Sequence, residues 1–322
     1  MNQSILVTGA AGFVGSHLCE ALLADGHRVV GLDTFTDYYP RPRKESNLAW
    51  ALGQANFTLV EDDLLAADLG ELLGGVETVY HLAGQPGVRG SWGRQFETYT
   101  RNNILATQRL LEAAVAAGSV PVIYASSSSA YGNLATMPLR EDMAPAPVSP
   151  YGVTKLAAEH LCGLYGAVHG LPVVSLRLFT VYGPRQRPDM AFQRFLTAVQ
   201  QGRPITVFGD GSQTRDFTYV GDVVRAFQLA GAWCNGAGGS PGSYGRRFNV
   251  AGGSRASVQE VLELLHRTTG IGPQVRYQPA QPGDVRDTWA DTSLARRHLG
   301  FEARLGLADG LARQWRHVQG QG

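Results

Sequence analysis

One junction near the N-terminus constrains the fold more than any other feature. An apolar run of strand length, Ile5 to Thr8, enters Gly9-Ala10-Ala11-Gly12-Phe13-Val14-Gly15 and then a helix-length stretch, Ser16 to Ala24. In that context glycine spacing carries meaning: Gly9 permits a tight turn, Gly12 lets backbone approach a pyrophosphate, and Gly15 allows close helix packing. The helix N-terminus then offers amide donors and positive potential to an anion. About 20 residues after the loop, Asp33 closes a second apolar run, where a carboxylate accepts hydrogen bonds from a ribose and repels a 2′-phosphate. This combination implies a dinucleotide site that favours NAD over NADP, although Arg41, Arg43 and Lys44 nearby weaken the discrimination.

Strand-length apolar runs recur at Arg28 to Leu32, Phe57 to Val60, Thr78 to Leu82, Val120 to Ala125 and Val173 to Leu178. They alternate with helix candidates, notably Thr98 to Ala117 and Pro150 to His169. Buried strands alternating with helices predict a parallel sheet covered on both faces, the doubly wound α/β (Rossmann) fold, here with a smaller C-terminal α/β substrate lobe. After Leu178 the rhythm breaks into loops rich in Gly, Pro and Arg around a helix near Ala191 to Gln201. A helix over Asp222 to Trp233 and a short strand over Arg247 to Val250 return to the first unit. The expected division is therefore discontinuous: 1–178 with 219–253 for the cofactor, and 179–218 with 254–322 for the substrate. The Gly- and Ser-rich tract Asn235 to Gly245 reads as a mobile surface loop. Asp63-Leu64 and Leu82-Ala83-Gly84 follow the third and fourth strands, where the sheet edge meets adenine and ribose.

Composition narrows the partners. Across 322 residues, hydrophobic residues make up 44% and charged residues 17%, which excludes a disordered chain. The formal charge of +1 gives no general attraction to nucleic acid or anionic lipid. Cys19, Cys162 and Cys234 cannot all pair and lack metal-type spacing, so no metal site is expected and a reducing compartment is. With no signal peptide and no apolar run of about 20 residues, a soluble, cytoplasmic protein is expected.

Tyr151 and Lys155 stand four apart on the helix beginning near Pro150, so both project from one face. A tyrosine is a poor base at neutral pH; an adjacent ammonium and a cationic nicotinamide both favour its phenolate. Tyr151 then removes a hydroxyl proton as hydride leaves for NAD. The strand Val120 to Ala125 ends in Ser126-Ser127-Ser128-Ser129 at the ligand-binding edge of the sheet, where hydroxyls donate to a reacting sugar oxygen.

Taken together, TGAAGFVGSH at 8–17, HLAGQPGVR at 81–89, NNILAT at 102–107, YASSSSAYG at 124–132, SPYGVTK at 149–155, RLFTVYGP at 177–184 and TRDFTYVGD at 214–222 resemble a known group. It is the extended short-chain dehydrogenase/reductases, within them the NAD-dependent epimerase/dehydratase enzymes acting on nucleotide sugars. The resemblance implies Ser127 as the hydroxyl partner of Tyr151 and Asn103 as support for the active site. It also implies that Phe208, Arg215 and Asp284 belong to the nucleotide and pyrophosphate pocket. An arginine such as Arg215 suits a phosphate because its planar fork donates two hydrogen bonds; pairing with Asp216 is the structural alternative. Arg89 is a candidate phosphate or sugar contact.

Where related 4,6-dehydratases carry an Asp-Glu pair, this chain has Ser128 and Ser129, so dehydration is disfavoured and epimerisation at carbon 4 is implied. DTFTDYYPRPRK at 33–44, GVRGS at 87–91 and FTVYGPRQRPDMA at 179–191 are most like UDP-glucuronate 4-epimerases. Ser128, Ser129, Thr180 and Arg187 are the donors available to a sugar carboxylate. A 4-keto uronate is a β-keto acid, so holding that carboxylate near the ring plane preserves it from decarboxylation. The chain departs from that pattern at Arg185-Gln186, where those enzymes have Trp-Gly; Arg185 is expected to add charge near the sugar or solvent. Alternative readings are a UDP-glucose or UDP-N-acetylglucosamine 4-epimerase, a UDP-glucuronate decarboxylase, and a non-catalytic NAD-binding protein. The resemblance further implies a homodimer pairing through the helices near 98–117 and 150–169.

Overall fold

Leu6 and Val7, both fully buried, lie in the central strand of a parallel sheet. The computed structural model describes residues 4–320 except Pro241 and Pro282. In chain order the first half runs β1 (Ser4–Thr8), α1 (Phe13–Ala24), β2 (Arg28–Asp33), α2 (Arg41–Leu52), β3 (Phe57–Glu61), α3 (Leu69–Leu72) and β4 (Val76–His81). It continues through α4 (Phe96–Tyr99), a π-helical segment (Thr100–Leu105), α5 (Ala106–Ala116), β5 (Val122–Ser127), α6 (Pro150–His169) and β6 (Val173–Leu178). The remainder comprises β7 (Val181–Tyr182), α7 (Ala191–Gln200), β8 (Ile205–Phe208), β9 (Thr214–Tyr219), α8 (Val220–Ala232) and β10 (Arg246–Val250). After these come β11 (Ser254–Ser257), α9 (Val258–Thr269), β12 (Val275–Gln278), α10 (Ser293–Leu299) and α11 (Leu307–Gln319).

Seven strands form the main sheet in the order β10-β6-β5-β4-β1-β2-β3, with every neighbouring pair parallel. The strand order reverses between β1 and β4, so the crevice for a ligand opens beyond their carboxyl ends. One face packs on α1 and α8 through Leu18, Leu22 and Phe227; the other packs on α5 and α6 through Leu110, Leu111 and Cys162. This is the expected doubly wound arrangement.

Beyond this sheet, β11-β9-β7 and β12-β8 form two small sheets. They share an apolar cluster with α7, α9 and α11, in which Phe192 stacks on Phe217 at 4.7 Å. Helix α10 packs elsewhere: Ala295, Leu299 and Phe301 join the cluster that includes Phe248 of β10.

Three local differences from the sequence reading have clear causes. The stretch expected as one regular helix over 98–117 is broken by the π-helical turn at Thr100–Leu105; the extra residue in that turn turns Asn103 inward, where its side chain is satisfied by Gln85 and Thr154. Helix α2, unassigned from the sequence, starts at a proline-containing first turn and buries Leu48 and Ala51. The two ends of the tract 235–245 are docked onto the sheet and α8 side. Asn235 donates to the Thr78 hydroxyl (2.7 Å), Gly245 N–H donates to the Val173 carbonyl (2.7 Å), and Tyr244 packs edge-on against Trp233.

Candidate active site

The glycine loop is shaped by close backbone contact. Gly9 has φ +71°, and a Cβ there would sit 2.8 Å from the Ala83 nitrogen. A Cβ on Gly15 would collide with the Gly9 carbonyl oxygen, so α1 starts directly against the turn. No acidic residue occupies the first turn of α1, leaving its positive end unopposed. Asp33 ends β2 and accepts from Ala11 N–H (3.0 Å) and Phe35 N–H (2.8 Å). These contacts anchor one carboxylate beside the loop. A single cavity runs from Gly9, Gly12, Phe13, Val14 and Gly15 past Asp33. It continues along Asp63, Leu64, Leu82, Ala83 and Gly84 to Tyr151 and Lys155. A backbone cradle closed to a Cβ at Gly9 and Gly15, an anchored carboxylate and a cleft spanning the strand ends fit a dinucleotide.

Helix α6 presents the catalytic candidates. Ser149 caps it by accepting from Gly152 N–H (3.1 Å), and Pro150 sits in its first turn. A Cβ on Gly152 would lie 2.5 Å from the Ser129 carbonyl, so glycine lets the helix start press against the serine run. Burial raises the Tyr151 phenol above its ordinary range, opposed by a hydrogen bond with Ser127 and the nearby charge of Arg187. Burial likewise pulls Lys155 down to about 8, and its ammonium donates to the Ala125 carbonyl (2.9 Å). The sequence reading gave the pull on the phenol to the Lys155 ammonium together with a cationic nicotinamide; the structure adds Ser127 and Arg187.

β5 continues two residues past its expected end, through Ser127. The Ser127 hydroxyl accepts from Ser129 N–H (3.1 Å), and Ser128 starts the short turn that follows. Thr180 accepts at its carbonyl from Thr218 N–H (2.9 Å). Arg187 lines the catalytic end of the cavity, is held by Asp189 through two bonds of 3.0 and 3.1 Å, and lies over the Tyr38 ring. The acids lining the cavity, Asp33, Asp62 and Asp63, stand at its other end. At the catalytic end the ionised lining side chains, Lys155 and Arg187, are thus cationic, with Asp189 behind Arg187.

A second cluster brings together residues far apart in sequence. Arg89 pairs with Asp284 at 2.7 Å and lies over the Phe208 ring at 4.2 Å. Arg215 shares the electrostatic neighbourhood of Asp284 and Arg89. It donates to the carbonyls of Thr214 and Arg286 (2.9 Å each) and does not pair with Asp216, which instead accepts from Ala290 N–H. Burial lowers the proton affinity of Arg215, with Asp284 and Asp287 opposing.

Arg185 departs from the expectation. Its side chain turns away from the cavity onto α1, pairing with Glu20 (2.7 Å) and bonding to His17 and the Asn47 carbonyl. Its backbone takes φ +63°, which aims it that way. Lys44, named from the sequence as weakening the discrimination, is buried 3.6 Å from Asp33, while the reading missed Tyr38 and Tyr39 on the cavity wall. Their proximity in sequence to Asp33 was the available signal. Arg41 is drawn off to Glu45 and Glu61.

The model of the NAD dependent epimerase/dehydratase family matches residues 5–251. A Bacillus subtilis protein described as an uncharacterized UDP-glucose epimerase is 45% identical over 313 residues, covering 97% of this chain and 96% of that one. The crystal structure of UDP-glucuronic acid 4-epimerase from Bacillus cereus with UDP-glucuronic acid and NAD superposes with a TM-score of 0.94 at 41% identity, covering 99% of this chain and 100% of that one. MoeE5, solved with UDP-glucuronic acid and NAD, has a TM-score of 0.88 at 44% identity, covering 99% and 100%; it has also been solved with UDP-glucose and NAD. With the glycine cradle, the Tyr151/Lys155 face and a match across most of its length, this chain belongs to the NAD-dependent epimerase/dehydratase family.

Proposed function

We propose that the chain is an NAD-dependent 4-epimerase of UDP-sugars, with UDP-glucuronate and UDP-galacturonate as its substrate pair. The observation that carries this reading is the catalytic end of the cavity. Tyr151 meets Ser127 there beside Lys155, with Arg187 as the nearby cation and no acidic lining residue among those described. Such an end lacks the acid–base pair needed to expel a 6-hydroxyl and favours an anionic sugar. Gly9, Gly12, Gly15 and Asp33 would hold the dinucleotide, with Asn103 supporting the wall. NAD, when bound, supplies the hydride acceptance and return that connect the two epimers through a 4-keto sugar. Tyr151 takes and returns the 4-hydroxyl proton while Ser127 donates to the same oxygen. Ser128, Ser129, Thr180 and Arg187 hold the sugar carboxylate; Phe208, Arg215, Asp284 and Arg89 hold the nucleotide diphosphate. In this reading residues 1–178 with 219–253 carry the cofactor, and 179–218 with 254–322 carry the nucleotide sugar.

Incubating the protein with UDP-glucuronate, UDP-glucose and UDP-N-acetylglucosamine, without added NAD and followed by proton NMR, tests the reading. UDP-galacturonate is the expected product. Conversion of a neutral sugar with none of glucuronate would refute the substrate, and release of carbon dioxide with a pentose would refute epimerisation. UDP-glucose is the second reading, favoured by the name of the Bacillus subtilis relative and the two sugar complexes of MoeE5. A homodimer is proposed as well. Leu105, Val153, Leu164 and Val168, all about half exposed or more, leave an apolar face on the π-helical segment and α6. Three buried, unpaired cysteines support a reducing, cytoplasmic setting, and no described helix is long and apolar enough to cross a membrane.

A further inference from the structure

Three consecutive residues at the end of β5 are tied to three consecutive turns of one face of α6. Lys155 donates to the Ala125 carbonyl (2.9 Å), Ser126 donates its hydroxyl to Glu159 (2.9 Å), and Ser127 bonds to Tyr151. Tyr151, Lys155 and Glu159 are spaced by four, so they stack along that face. The first and third of these ties involve the candidate catalytic groups. The middle one does not, although Ser126 borders the same cavity, and it is the most deeply buried: Ser126 and Glu159 are each 3% exposed.

Glu159 is also the point where neighbouring strands converge. Arg177 of β6, fully buried, grips it through bonds of 2.9 and 2.5 Å, and Arg247 of β10 approaches to 3.7 Å. The carboxylate thus links α6 to β5, β6 and β10. An arrangement needed only for stability would be served as well by apolar residues of similar volume, because desolvating two charges offsets most of their attraction. A directional bond has a different use. It sets how far α6 slides along β5, and that offset decides the distance between the Tyr151 phenol and the Ser127 hydroxyl.

We propose that Glu159 and Ser126 are positioning residues for the epimerase reaction, with the Ser126–Glu159 hydrogen bond holding α6 in the register that lets Tyr151 and Ser127 address one substrate oxygen together. The proposal rests on the function assigned above. Arg177 in this arrangement is the counter-charge that grips the Glu159 carboxylate and keeps it aimed at Ser126. Its remaining terminal nitrogen, Nη1, has no hydrogen-bond partner among the described residues, and its guanidinium lies over the Tyr131 ring at 4.4 Å. The guanidinium is therefore held by Glu159 on one side and an aromatic face on the other.

The test compares Ser126→Thr with Ser126→Val in the full chain at saturating NAD. The two side chains share a shape and differ in the hydroxyl, so any packing cost is common to both. Ser126→Val is expected to lose kcat by about 10- to 100-fold, the scale of a small misplacement of reacting groups, with KM and bound NAD little changed. Ser126→Thr is expected to recover most of that loss. Equal kcat in the two variants would overturn the proposal. Should Ser126→Val fail to fold, the paired variant Glu159→Leu with Arg177→Met removes the tie while keeping the volume apolar. A folded paired variant with a kcat loss of the same size supports the proposal, and one with wild-type kcat overturns it. Wild-type turnover run in parallel separates the two readings: an inactive wild type defeats the assigned function, whereas an active wild type with equal Thr and Val variants defeats only the positioning role.

Discussion

Lys155→Met is expected to make the folded protein more stable at neutral pH while silencing turnover. Lys155 is 7% exposed and its ammonium is pulled by burial from an ordinary value of 10.5 to about 8. At about 1.4 kcal/mol per tenfold change in proton affinity, the charged form costs the fold roughly 3 kcal/mol. Losing the hydrogen bond to the Ala125 carbonyl offsets about 2 kcal/mol of that gain in the variant, since such bonds to charged donors contribute about 1.5 to 3 kcal/mol. A net gain of about 1 kcal/mol at pH 7 follows. Because the folded value lies below the unfolded one, both states hold the proton below pH 8 and the whole penalty is present there. Between about 8 and 10.5 the unfolded chain binds the extra proton, so wild-type stability climbs with pH. About 2 kcal/mol of the penalty is lifted by pH 9.5. The assay is urea unfolding of both proteins, stripped of cofactor, at pH 7 and 9.5; their difference cancels every other titrating group. The advantage of the variant should vanish or reverse at the higher pH. A difference independent of pH would refute the buried, strained lysine.

Tyr151→Phe should leave NAD binding largely intact and cut kcat by about 100- to 10,000-fold, as measured by NMR turnover and cofactor titration; near-normal turnover would contradict its role. Asp33→Asn removes the charge that repels a 2′-phosphate while Lys44 stays beside it at 3.6 Å. Titration with NADP should show tighter binding, by on the order of tenfold, with NAD weakened; unchanged discrimination would assign that selectivity elsewhere. Arg185→Ala should destabilise the fold by about 1–2 kcal/mol in urea, through loss of its Glu20 and His17 contacts. Its KM for the sugar should not move, and a changed sugar preference would return Arg185 to the substrate site.

Much of the site was legible because it is local. Gly9, Gly12 and Gly15 belong to one turn, Asp33 ends the next strand, and Tyr151 and Lys155 stand one helical turn apart, so spacing alone placed them. β6 occupies the residues its apolar run predicted, Val173–Leu178. β5 was less legible at its end: polar serines read as a loop, yet Ser126 and Ser127 continue the strand because α6 and β6 cover them. The helix over 98–117 has helical periodicity throughout, and periodicity carries no sign of a π turn. That turn comes from Asn103 reaching Gln85 and Thr154.

Arg185 illustrates the other limit. Its neighbour Arg187 lines the cavity, but φ +63° and Glu20, 165 residues away, direct Arg185 onto α1 instead. Likewise Arg89, Phe208, Arg215 and Asp284 become one cluster only when the chain folds. By itself the sequence determined the elements, the cofactor loop and the pair of residues one helical turn apart, because strand and helix periods and turn chemistry act over a few residues. The tertiary structure decided which cations face the phenol, which arginine is withdrawn by a carboxylate and how α6 registers against β5. Those outcomes depend on burial and charge contributed by segments distant in the chain, and no local pattern records them.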